Sequence, residues 1–285
     1  MASKGELARV VGRGGYRIWY ATCVVNRRPK GTPTGGQFAP MHRPEAAGLH
    51  LEEGSAPPGA NRPLLRRVLR SAAKLQQVVP DAVLVGEPAA ALWANHRGSL
   101  DHDHVLVDLE ERFDAVLEAV EATDGWVTNR VTPGKLILGE LGGIETGVRQ
   151  LIRKVPLEVT DVELPSGERV RVPTPEETLR VKGYLIVRRN QTRDYLDVVA
   201  LADRYGLEHA ASVLARVDGY YGDQRPAEAE GVATQLARQL SDPRPRDART
   251  TTQLDRYKGR GARWADWADV VGFCRQLALG MVEVG

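Results

Sequence analysis

The chain has 285 residues, 42% hydrophobic and 27% charged, enough to bury a substantial core as one large domain or two smaller ones. That length excludes a stapled miniprotein, and a formal net charge of +2 is too slight to mark a nucleic-acid binder by charge alone. Two cysteines, Cys23 and Cys274, lie far apart and outside any CxxC or Cys/His spacing, which argues against a disulfide framework or zinc ribbon and fits a reducing cytoplasm.

Residues 1–62 carry GRGGY, RRPKGTPTGGQFAP and EEGSAPPGANRP, where glycine and proline recur too often for a packed element to persist, and read as a disordered tail. The apolar run IWYATCVV at 18–25 is too short to span a bilayer and lacks a small-x-small cleavage site, so neither a membrane segment nor a secretion signal is expected. Order begins near Leu64: Leu65, Val68, Leu69 and Ala72 follow helical spacing until Pro80 stops the run, with Arg66, Arg70 and Lys74 as a solvated basic stripe.

AVLVG at 82–86 predicts a strand, and PAAALWAN a short helix with Pro88 in its first turn. VLVDL predicts the next strand, and EERFDAVLEAVEATDG a helix with Phe113, Val116, Leu117 and Val120 on one face. KLILGEL, GIETGVRQLI, VPLEVTDVEL and ERVRVP are short β-prone segments punctuated by Gly-Gly and Pro-Ser-Gly-Glu, so a sheet continues through hairpins. TPEE at 174–177 opens a helical half with Thr174 as N-cap, and helices are predicted over 176–189, 192–205, 207–217, 227–240 and 262–280. The division is thus a tail, an α/β core over 63–173 and a helical region over 174–285.

HRGSLDHDHVLVDL at 96–109 carries the chemistry. On a strand, Asp101 and Asp103 share one face while His102 and His104 take the other. Two adjacent carboxylates suit a hard divalent ion such as Mg²⁺ or Mn²⁺, although a D-x-D pair is more often a solvated strand end. Farther on, Lys182, Ile186 and Arg189 fall on one helical stripe, and Asp194 and Asp197 lie three apart on the next helix. This hairpin unites cations with carboxylates, either as a salt-bridge network or as a triphosphate site. A zinc hydrolase built on His102 and His104 lacks a further His-Asp pair, so packing roles are expected for both. Trp264, Trp267, Val271 and Cys274 read as a core stripe, and RYKGRGAR as a solvated segment.

The stretch VGEPAAALWANHRGSLDHDH resembles the signature of AbiEii-type nucleotidyltransferases, which belong to the DNA polymerase β-like superfamily and include the MenT toxins. A glycine turn, a short helix and His-Arg-x-Ser-x-Asp-x-Asp entering a strand are matched by Gly86, His96, Arg97, Ser99, Asp101 and Asp103. A second block, ETLRVKGYLIVRRNQTRDYLD, is similar to the family's later signature through Lys182, Arg189, Asp194 and Asp197. The resemblance covers about residues 75–205.

It implies an α+β fold with a polymerase β-like mixed sheet, flanking helices and a helical C-terminal region completing the active site. It also implies transfer of a nucleotide from an NTP to a hydroxyl, such as one on RNA or tRNA, by the toxin of a toxin–antitoxin pair. Asp101 and Asp103 would hold two Mg²⁺ or Mn²⁺ ions with a third carboxylate, Glu158 first and Glu145 in reserve. Gly86, Arg97, Ser99, Lys182 and Arg189 would bind the nucleotide, and Asp194 or Asp197 would orient Lys182 or assist the acceptor. One departure stands out: where the family has Gly-Gly-Thr or Gly-Ser, this chain has Gly86-Glu87-Pro88, a carboxylate opposing phosphate and a residue without an N–H. That change motivates a second reading, a catalytically weak or silent nucleotide-binding or adaptor protein. Transfer to a small hydroxylated molecule is a third.

Overall fold

The stripe from Leu65 to Ala72 is the buried face of helix α1 (Pro63–Val78) in the computed structural model, which describes residues 9–12, 16–19, 57–151, 153–226, 228–256 and 262–285. Cys23, RRPKGTPTGGQFAP and the centre of RYKGRGAR lie outside the described residues. Within the segment read as a tail, β1 (Arg9–Gly12) and β2 (Tyr16–Trp19) pair as an antiparallel hairpin.

Beyond α1 come β3 (Val83–Val85), α2 (Glu87–Ala94), β4 (His102–Leu106) and α3 (Leu109–Glu121). Next are β5 (Trp126–Thr132), β6 (Leu136–Leu141), β7 (Ile144–Gln150), β8 (Val159–Glu163) and β9 (Arg169–Pro173). The strand β4 starts at His102 rather than Val105, so the second half of the acidic motif is itself sheet, while VDL already turns into α3. No strand was predicted over β5, whose WVTNRVT exposes most of its side chains at the sheet edge and so lacks an apolar run to announce it.

The main sheet has the order β3-β4-β7-β6-β5, with β4 and β7 parallel and the other neighbours antiparallel. The predicted hairpin continuation holds for β6 and β7, whereas β8 and β9 form a separate two-stranded sheet. This mixed α+β architecture is the predicted fold class.

The helices α4 (Pro175–Arg189), α5 (Thr192–Tyr205), α6 (Leu207–Ala215), α7 (Asp218–Tyr221), α8 (Val232–Ser241) and α9 (Trp267–Val284) complete the chain. Thr174 caps α4, its hydroxyl accepting the Glu177 N–H at 3.2 Å. Asn190 ends α4 in the left-handed conformation, at φ 50°, and turns the chain into α5. A single apolar core joins α1, α2 and the β8–β9 hairpin to α4, α5, α6, α8 and α9, with Trp93, Tyr195, Leu236 and Leu277 inside it. The boundary drawn at 173/174 therefore runs through shared core. A second core packs α1 and α3 on one face of the sheet through Leu75, Phe113, Ile137 and Val148. Of the stripe read as core, Trp264 and Cys274 are buried and Trp267 packs half-buried against the same core, whereas Val271 is half-buried and Val270 takes the inner position.

Candidate active site

On β4, Asp103 and Val105 face opposite to His102 and His104, and on β7 the alternation puts Glu145, Gly147 and Arg149 together. The register sets Asp103 beside Gly147. A Cβ at Gly147 would fall against Asp103 Oδ1, so glycine is what lets that carboxylate lie over the neighbouring strand. Asp101 precedes the strand, and the Ser99 hydroxyl donates to its backbone carbonyl at 3.1 Å and its Oδ1 at 3.3 Å. Arg149 donates from Nε to Asp103 Oδ1 at 3.2 Å, with Nη2 at the same separation.

Asp101, Asp103, Gly147 and Arg149 line a cavity of about 240 Å³. Its opposite wall is α4 and the start of α5, contributing Lys182, Arg189 and Arg193, while Gly86 lies at its rim and Leu151, Leu157 and Leu185 supply an apolar part. The acidic pair and the cationic helix, about eighty residues apart in sequence, thus share one concavity. Gly86, with φ at 82°, occupies a conformation that favours glycine and sets the turn into α2.

Beneath that wall lies a buried ionic cluster. Asn95, left-handed at φ 52°, ends α2 and directs His96 and Arg97 toward α5. Asp197 there accepts from Arg97 Nε at 2.7 Å and Nη2 at 2.8 Å, sits 2.7 Å from His96 Nε2, and pairs with Lys182 Nζ at 2.7 Å. Arg97 also pairs with Glu87. Burial alone would raise the Asp197 carboxyl; Arg97, then Lys182 and His96, overcome it and hold the group well below the usual carboxylate range. Burial lowers Lys182, opposed by Asp197 and Asp194. Across the α4–α5 turn, Arg189 grips Asp194 through two bonds of 2.6 and 2.5 Å.

Several predicted roles change. Arg97 lines the cavity with no solvent exposure, bonded to Asp197 and paired with Glu87, so it braces the wall. Ser99 is equally buried and holds Asp101. Asp194 and Asp197 are fully buried ion-pair partners, Asp197 of Lys182 and Asp194 of Arg189, the arrangement that orienting Lys182 requires of Asp197. Glu158 bonds to Arg180 at 2.9 Å and Tyr220 at 2.8 Å beside the β8–β9 hairpin and does not line the cavity. Glu145 does line it, yet among the described residues no group of three or more His, Cys, Asp or Glu takes a metal-ligating arrangement. The Glu87 carboxylate, expected to repel phosphate, is neutralised by Arg97.

His102 takes a packing role, 2.9 Å from the Ser71 hydroxyl and 3.1 Å from Thr146, edge-on to His104. Burial pushes His102 down to about 4 and lowers His104 as well. Sequence reading missed Arg149 and Arg153. Period-two alternation from Glu145 would have found the first; the second is fixed by Glu177 at 2.5 Å and Tyr221, contacts that no local pattern announces.

No family model matches the chain. It is 35% identical to the heme uptake protein MmpL11 of Mycobacterium tuberculosis over 252 residues, 80% of this chain and 23% of that protein. It is 43% identical to the mycolic acid-containing lipids exporter MmpL11 of Mycolicibacterium smegmatis over 131 residues, 46% of this chain and 13% of that protein. The chain therefore spans about a quarter or less of the length of these curated relatives. Among solved structures, the nucleotidyltransferase toxin MenT4 of M. tuberculosis matches with a TM-score of 0.51 at 16% identity, covering 80% of this chain and 88% of MenT4. The chain shares the nucleotidyltransferase fold with that toxin. Among the described residues no helix is long and apolar enough to cross a membrane.

Proposed function

We propose that this chain is a metal-dependent nucleotidyltransferase acting in the cytoplasm, moving a nucleotide from an NTP to a hydroxyl of an RNA such as tRNA. The observation that carries this reading is the single cavity bounded by Asp101 and Asp103 on one side and Lys182, Arg189 and Arg193 on the other. Asp101 and Asp103 each keep an Oδ2 that no described residue hydrogen-bonds, and such a pair fits Mg²⁺ or Mn²⁺ completed by waters and phosphate oxygens. When bound there, a divalent ion supplies charge neutralisation at the phosphates and acidifies an acceptor hydroxyl. Ser99 fixes Asp101, and Gly147 gives Asp103 its room. Lys182 and Arg189, braced by Asp197 and Asp194, bring positive charge to the polyphosphate, and the apolar wall excludes water.

Likeness to a toxin fold motivates the finer reading that the transfer disables RNA and that an antitoxin protein restrains it. Incubation with each α-labelled NTP, total RNA and Mg²⁺ tests the activity: labelled RNA that disappears in Asp101→Ala supports it. Growth arrest on expression, relieved by Asp103→Ala, tests toxicity.

A second reading has its own support. The Asp103–Arg149 and Glu87–Arg97 pairs occupy groups a catalyst would expose, and the sequence relatives carry the names of transporters. The chain would then be a nucleotide-binding module that does not transfer, related to one part of such transporters. Nucleotide bound without label transfer to RNA or to small hydroxylated acceptors decides for it.

A further inference from the structure

We propose that Arg149 stands in for a second divalent ion, so that the cavity takes a single cation and the guanidinium moves from Asp103 to the triphosphate when nucleotide arrives. This inference rests on the cavity being a metal–nucleotide site, as above.

Two-metal transfer needs carboxylates enough to bridge two ions, commonly about 4 Å apart. Beside Asp103 the neighbouring strand offers three positions on the same face. The nearest, Gly147, has no room for a side chain while Asp103 stands where it does. One step toward the strand's end is Arg149, a cation 3.2 Å from Asp103 Oδ1. One step back is Glu145, exposed and in register with Glu140 of β6, which forms no three-carboxylate group with the aspartates among the described residues. Positive charge therefore sits where the ligand set of a second ion would have to be completed.

The chemistry of the replacement is sound. A guanidinium presents a planar fork that matches phosphate oxygens, and arginine can neutralise charge developing on a transferred phosphoryl group. The contacts that Arg149 makes with Asp103 fall on one of its oxygens, so the other remains for the first ion. Without nucleotide, Arg149 competes with that ion for Asp103; with nucleotide, it gains a better partner. Ion and triphosphate should consequently strengthen each other's binding.

The test is Mn²⁺ titration followed by electron paramagnetic resonance, with and without a non-hydrolysable NTP analogue. One Mn²⁺ per chain is expected with the analogue present. Arg149→Ala should bind Mn²⁺ alone about threefold more tightly, as loss of a part-exposed ion pair implies, and bind the analogue about tenfold more weakly, as loss of a charged phosphate contact implies. Arg149→Lys, which keeps the charge, should remain a one-ion protein. Two ions per wild-type chain, or an Arg149→Ala variant with unchanged Mn²⁺ affinity, would overturn the proposal and leave the nucleotidyltransferase reading intact. No Mn²⁺ bound in any form, nucleotide included, would overturn both.

Discussion

Lys182 Nζ lies 2.7 Å from Asp197 Oδ2 in a buried cluster on the cavity wall, and the same carboxylate also holds Arg97 and His96. The partners are therefore unequal. Removing Lys182 leaves Asp197 with Arg97, whereas removing Asp197 takes from Lys182 its ion-pair partner and leaves Arg97 with Glu87. Asp197→Ala should cost about 3–5 kcal/mol, and Lys182→Met distinctly less, by urea denaturation. Equal losses would show that the three groups do not compete for one carboxylate.

Gly147→Ala places a methyl group against Asp103 Oδ1. Overpacking of this kind costs about 1–3 kcal/mol, and displacement of Asp103 should also weaken Mg²⁺–nucleotide binding. Gly139→Ala is the control, because its Cβ would meet Trp126 and the Val127 carbonyl, away from the cavity. Calorimetry should find both variants less stable but only Gly147→Ala impaired in binding.

Stability should fall in acid before the carboxylates titrate. The folded protein keeps His102 neutral down to about 4, against 6.5 ordinarily, so below pH 6.5 the unfolded chain takes a proton that the folded chain refuses. The stability present above pH 6.5 is lost as pH falls toward 4, by on the order of 3 kcal/mol at about 1.4 kcal/mol per unit. Melting curves of metal-free protein between pH 7 and 4 should show this slope, and His102→Gln should reduce it, with buried His104 keeping a share.

Glu158→Gln separates the two carboxylate assignments. Because Glu158 answers Arg180 and Tyr220, its loss should lower thermal stability and leave Mn²⁺ binding unchanged, while Asp101→Asn and Asp103→Asn abolish the latter. A weakened ion in Glu158→Gln would restore it as a ligand.

Local signals are legible in the chain. Leu65 to Ala72, the Thr174 cap and the glycine at 206 announce α1, α4 and the end of α5, because spacing and capping act within a few residues. The pairing of Lys182 with Asp197 was legible as a helix-hairpin possibility, for the same reason. What stayed hidden depends on tertiary contacts. That β8 and β9 leave the main sheet, carrying Glu158 away from Asp101, follows from strand pairing that sequence alternation does not encode. The burial of Arg97 follows from the meeting of α2 and α5, and Arg149's place beside Asp103 from a parallel pairing across more than forty residues. A charged residue in a motif looks the same whether it meets substrate or another side chain.

The aspartate pair and the α4 cations should hold one metal–nucleotide between them. Equilibrium binding of a fluorescent non-hydrolysable NTP, with and without Mg²⁺, tests it in wild type, Asp101→Asn and Arg189→Ala. Binding should depend on Mg²⁺ in wild type, lose that dependence in Asp101→Asn, and weaken in Arg189→Ala. Binding that ignores Mg²⁺ and both substitutions would contradict it.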